Sequence, residues 1–130
     1  MHRALRCFLI LPLFAWSVAH AAVHDFDQDT FNRLQHDGRP VLVMVHASWC
    51  STCANQRIVL SGLLQQPRLQ SIQALRVDYD RQEDVARLLG VKDRSTLIVF
   101  RKGREVGRST GDMSREGISA LLEKAVSNAP

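Results

Sequence analysis

Two cysteines stand three positions apart in the run Trp49-Cys50-Ser51-Thr52-Cys53. A pair at this spacing can close an inert disulfide, exchange that disulfide with the thiols of another molecule, or supply half of a metal site. Zinc requires three or four protein ligands, and neither a second Cys-x-x-Cys nor a His pair accompanies this one. As a staple the pair is poorly placed. A cross-link stabilises by restricting the unfolded chain, the effect grows with loop length, and this loop is minimal. Exchange is the chemistry the spacing favours. It needs a thiolate at neutral pH, a second thiol close enough to close a ring, and access for a partner disulfide.

The flanking segments can supply these conditions. Val41 to Val45 is a continuous apolar run rich in β-branched residues, which reads as a strand buried on both faces. It ends near Ala47, and a helix begins around Cys50. Ala54, Ile58, Val59 and Leu63 follow at helical spacing up to Gln66, where Pro67 stops the helix. A helix N-terminus presents unpaired N–H groups and partial positive charge, which lower the pKa of a thiol placed there. Cys50 is therefore the candidate nucleophile, expected to be exposed. Cys53, on the same face of the first turn, is the candidate resolving thiol. Trp49 would form an apolar lip beside Cys50.

The rest of the chain reads as an alternation of strands and helices. Val23 to Phe26 is a short edge strand. Asp27 caps a helix through Phe31 and Leu34 that ends at Asp37-Gly38. Leu75 to Tyr79 is a strand leading to Asp80, which is expected to cap a helix with Glu83 at its third position and Val85, Leu88 and Leu89 on its apolar face. Thr96–Phe100 and Glu105–Ser109 flank a glycine turn at Arg101-Lys102-Gly103-Arg104, and Ser114 caps a last helix with Ile118, Leu121, Leu122 and Val126 inward. The order β-α-β-α-β-α-β-β-α predicts an α/β domain: a mixed sheet with helices on both faces.

Residues 1–21 are set apart from this domain. Arg3 and Arg6 precede the apolar run Cys7–Trp16, and Ala19-His20-Ala21 offers small residues for a peptidase, the pattern of a cleavable signal peptide. An uncleaved anchor is the alternative; the apolar run falls short of the roughly 20 residues a span needs. The expected division is a leader over 1–21 and one domain over 22–130. The chain carries 17 Lys and Arg against 13 Asp and Glu. Removing Arg3 and Arg6 leaves 15 against 13, or +2, which does not argue for nucleic acid. Cys7 leaves with the leader.

The run VLVMVHASWCSTC, followed by VDYD, by STLIVFRKGREVGRSTG and by a final amphipathic helix, resembles the thioredoxin family over nearly all of residues 23–126. The resemblance implies a thioredoxin fold, dithiol–disulfide exchange through Cys50 and Cys53 on protein disulfides or dithiols, and no cofactor or resident metal. With the leader it implies a periplasmic location and a source of electrons such as a DsbD-type membrane electron carrier. Oligomeric state and redox direction are left open. The loop Arg94-Ser95-Thr96 aligns with the family's substrate loop, with plain strand entry as the alternative reading. Gly111 matches a glycine beside the groove, or marks a turn needing positive φ.

Three departures qualify the resemblance. Ser95 stands where the family has a cis-proline. A cis bond before a non-proline residue costs about 2.5–4 kcal/mol, so Arg94–Ser95 is expected to be trans. Met44 occupies the position of the buried Asp that helps deprotonate the resolving cysteine, and the Lys that partners it aligns with Ala74. His46 is then the candidate for proton transfer, unless it is a structural residue ending its strand. Between the cysteines, Ser-Thr is neither the Gly-Pro of thioredoxin nor the Pro-His of the strong periplasmic oxidant, and a moderately reducing couple is expected. Ser95 and Met44 also leave open a non-enzymatic module for metal delivery or partner docking.

Overall fold

The structure, a computed structural model, describes residues 22–128; the leader read over 1–21 lies outside the described residues. The elements follow the expected order: β1 (Val23–Asp25), α1 (Gln28–His36), β2 (Val41–His46), α2 (Ser51–Leu63), β3 (Gln73–Asp78), α3 (Glu83–Leu88), β4 (Thr96–Arg101), β5 (Arg104–Thr110) and α4 (Arg115–Val126). The strands form a five-stranded sheet in the order β1-β3-β2-β4-β5. β3 runs parallel to both β1 and β2, whereas β4 is antiparallel to β2 and to β5.

The central place of β2 accounts for its unbroken apolar run. Successive side chains of a strand point to opposite faces, so a strand covered on both sides must be apolar throughout. Leu42 and Met44 join Leu60 and Leu63 of α2 and Ile118 and Leu122 of α4. Val41, Val43 and Val45 join Phe31 and Leu34 of α1 and Val85 of α3. Two layers of helix thus press on the sheet, and α2 is held against the face that also carries α4.

Local signals fix the element ends. The Asp27 carboxylate accepts the Thr30 N–H at 2.9 Å and caps α1, while Gly38 leaves the helix at φ +66°. Ser114 Oγ caps α4 by accepting the Gly117 N–H at 3.1 Å. The β4–β5 turn passes through Lys102 (φ +50°) and Gly103 (φ +75°), the doubly left-handed geometry of a tight hairpin. Among the described residues, no helix is long and apolar enough to cross a membrane.

Two helix assignments are corrected. Asp80 does not cap α3, which begins at Glu83 after Gln82 with no side-chain cap. Asp78 Oδ1 takes the N–H groups of Asp80 and Arg81, winding that segment into a turn and delaying the helix. Val85 and Ala86 are the buried residues of α3, and Leu88 is 78% exposed. On α2 the buried face is Cys53, Gln56, Leu60 and Leu63, whereas Ile58 is 69% exposed. The apolar spacing in the sequence fits two faces of that helix, and packing against α4 selects the one containing Gln56.

Candidate functional site

Cys50 is the N-cap of α2. Its backbone is extended (φ −92°, ψ 105°), and its Sγ accepts the Cys53 N–H at 3.1 Å. The leading sulfur therefore occupies the place where a capping oxygen normally sits, receiving one of the unpaired donors of the first turn. Any negative charge on it faces the positive end of the helix dipole. Cys50 and Cys53 are joined as a disulfide, with Cα atoms 5.3 Å apart.

The expectation of an exposed leading cysteine is corrected. Cys50 is 8% and Cys53 7% exposed. The cause is the cap itself: Sγ turns into the helix mouth to meet both the Cys53 N–H and the Cys53 sulfur. Cys50 nevertheless lines two surface clefts, so it is approached along grooves rather than from a protruding knob.

The first cleft, of about 210 Å³, brings Cys50 together with Trp49, Arg94 and Ser95, and adds Thr52, Asp93 and Thr110 to its walls. Trp49 is 59% exposed, yet its ring is held from two directions. Its Nε1–H donates to Asp80 Oδ2 at 2.8 Å, and the Arg94 guanidinium lies 4.0 Å from the ring centroid. Asp80, expected to be a helix cap, is instead what fixes the apolar lip. Ser95 has φ +61°, and no cis peptide occurs among the described residues, so the Arg94–Ser95 bond is trans as expected. Its N–H donates to Val45 O at 2.8 Å and its carbonyl accepts the Gly111 N–H at 3.0 Å.

Two of the expected substrate-binding residues, Thr96 and Gly111, do not line this cleft. Thr96 is buried, its Oγ1 donating to Asp93 O at 2.7 Å and paired with Thr110 Oγ1 at 2.9 Å. It shapes the strand entry rather than the cleft wall. Gly111 takes φ +78°, a Cβ there would meet nothing within 4 Å, and its backbone holds Ser95. The positive φ is the reason for glycine at that position.

The second cleft, of about 250 Å³, exposes the other side of the dithiol to Met44, His46, Arg57 and Arg76. His46 ends β2 half-buried, and its side chain makes no hydrogen bond among the described residues. In the β2–β3 register the residue beside Met44 is Arg76, and Ala74, the expected equivalent of the family's lysine, lies beside Leu42. A cation therefore stands beside the position vacated by the family's buried acid. Arg76 is paired with Asp25, Nε at 3.0 Å and Nη2 at 2.5 Å from Oδ1.

Sequence reasoning missed Gln56 and the true role of Asp80. For Gln56 a signal existed: a lone amide at the i+3 position from Cys53, in line with Leu60 and Leu63. Nothing local marked Asp80, whose partner lies 31 positions away.

A mixed five-stranded sheet with a Trp-Cys-x-x-Cys dithiol at the mouth of the helix after its central strand defines a class of disulfide-exchanging domains. Comparison with known proteins gives the family. The thioredoxin family model matches residues 20–124. Thioredoxin of Chlamydia muridarum is 34% identical over 84 residues, 65% of this chain and 80% of that protein. Thioredoxin 1 of a Nostoc species is 32% identical over 85 residues, 65% and 78% respectively. The crystal structure of Trxlp from Edwardsiella tarda superposes with a TM-score of 0.76 at 36% identity, covering 78% of this chain and 98% of that one. The chain belongs to the thioredoxin family, and its bonded cysteine pair makes it a thioredoxin-like thiol–disulfide oxidoreductase.

Proposed function

We propose that this protein is an exported, periplasmic reductase or electron-transfer partner for protein disulfides. The observation that carries the reaction is the Cys50 sulfur capping α2 at 3.1 Å from the Cys53 N–H while bonded to Cys53. In the reduced protein the Cys50 thiolate attacks one sulfur of a substrate disulfide. A mixed disulfide forms, the substrate S–S bond breaks, and the departing thiolate takes a proton. Cys53, losing its proton, attacks Cys50 Sγ and releases the second substrate thiol. The pair ends as the disulfide observed, having passed two electrons to the substrate. His46 lines the cleft on the Cys53 side and is the proposed proton acceptor, directly or through water.

Export rests on the leader pattern of residues 1–21. An oxidising compartment requires that the pair be re-reduced, for which a DsbD-type membrane electron carrier is the proposed donor. The reducing direction rests on the neutral Ser51-Thr52 between the cysteines. Arg94, Ser95 and Trp49 are the proposed docking surface.

The test is insulin reduction by the purified protein, abolished by Cys50→Ser, with a Cys53→Ala variant trapping mixed disulfides in the native compartment. Mature protein recovered from the periplasm should begin at Ala22. Stoichiometric metal retained without turnover would favour a binding module instead, and a potential near about −120 mV would overturn the reducing assignment.

A further inference from the structure

We propose that Gln56 is a positioning residue that sets the geometry of the Arg94–Ser95 loop over the dithiol and thereby governs the docking of protein disulfides. The inference rests on the oxidoreductase reading above and assigns a determinant of that same site. Gln56 lies one turn beyond Cys53 on α2 and is 2% exposed. A buried side-chain amide is costly unless its polar atoms are bonded, so a glutamine between Cys53 and Leu60 calls for a compensating role. Its Nε2 donates to Ser95 O at 3.0 Å and to Asp112 O at 2.9 Å, which uses both N–H donors of the amide.

Both acceptors belong to segments at the groove. Ser95 sits at φ +61°, a conformation that costs an L-residue energy and persists only when its surroundings hold it. Three hydrogen bonds on its backbone do so: its N–H donates to Val45 O, and its carbonyl accepts from the Gly111 N–H and from Gln56 Nε2–H. The second Gln56 bond fixes the turn that carries Gly111 and Asp112. One side chain thus ties the helix bearing the resolving cysteine to both loop segments. A trans peptide before Ser95 has none of the rigidity of a proline ring, and Gln56 supplies the restraint through hydrogen bonds. Its action is indirect, because its amide reaches the loop carbonyls and not the reacting sulfurs.

The test compares two substrates of the full-length protein. Gln56→Leu removes both donors while keeping the buried volume. Its kcat/KM for insulin should fall about tenfold or more, chiefly through KM. Its rate with a small aromatic disulfide should stay within twofold, as should the alkylation rate of reduced Cys50 across pH. Gln56→Met, which removes the same two donors on an unbranched side chain of similar length, should give the same split, which keeps the test available if Gln56→Leu folds poorly. A parallel loss with both substrates, or insulin kinetics unchanged in both variants, would overturn the proposal. A wild-type chain inactive on insulin would instead remove the oxidoreductase reading beneath it.

Discussion

Replacing Asp80 with Ala should release Trp49 from its fixed position while leaving the dithiol intact. The indole N–H lies 2.8 Å from Asp80 Oδ2, and the opposite restraint is the Arg94 guanidinium 4.0 Å from the ring centroid. A hydrogen bond to a charged acceptor contributes about 1.5–3 kcal/mol, and exposure of both partners here reduces that to about 1 kcal/mol. Cation–π contact at an exposed site adds about 0.5–1 kcal/mol and survives the substitution. Losing about 1 kcal/mol changes the population of the pinned rotamer roughly fivefold, enough to turn a fixed ring into a mixture. The chain has two tryptophans, Trp16 and Trp49, so a Trp16→Phe background makes Trp49 the sole reporter. In that background Asp80→Ala should lower the fluorescence anisotropy, raise KM for insulin about fivefold or less, and leave the Cys50 alkylation rate unchanged; Arg94→Ala combined with it should loosen the ring further. Unchanged anisotropy in Asp80→Ala would refute the reasoning, because the ring would then be held by something other than this bond.

Two further outcomes follow from the scaffold. Lys102 holds φ +50° in the β4–β5 turn, so Lys102→Asn should stabilise the protein by up to about 1 kcal/mol in urea titration, since Asn tolerates the left-handed region better. The Thr30 backbone and hydroxyl bonds hold the Asp27 carboxyl below its ordinary range, and the Arg108 guanidinium does the same for Glu105. A carboxylate whose folded pKa is depressed contributes stability above its unfolded pKa, and that contribution is lost as pH falls through the folded value. Stability should therefore decline below about pH 4, and the difference between pH 7 and pH 3 should shrink in Asp27→Asn.

The parts legible in sequence were those governed by local physics. The apolar run Val41–Val45, the caps Asp27 and Ser114 and the dithiol at the start of a helix each follow from neighbours within a few residues, and each is found as read. What escaped depends on partners far along the chain. Asp80 resembled a cap because caps are local, but the Trp49 indole claims its carboxylate. Ile58 resembled core because α2 carries apolar residues on two faces, and contact with α4 settles which face is buried. The placing of Arg76 beside Met44 is set by strand register, which no local signal gives. The same loss of long-range information hid Gln56, whose acceptors lie 39 and 56 positions away.

Exchange turns on the ionisation of Cys50, and the most direct measurement is the rate of iodoacetamide alkylation of the reduced protein as a function of pH, with Cys53→Ala isolating the leading thiol. Capping by the Cys53 N–H and the positive end of α2 predicts a midpoint at least one unit below the ordinary thiol value of about 8.5. A midpoint at or above that value would show that the helix mouth does not activate the sulfur, and would contradict Cys50 as the nucleophile.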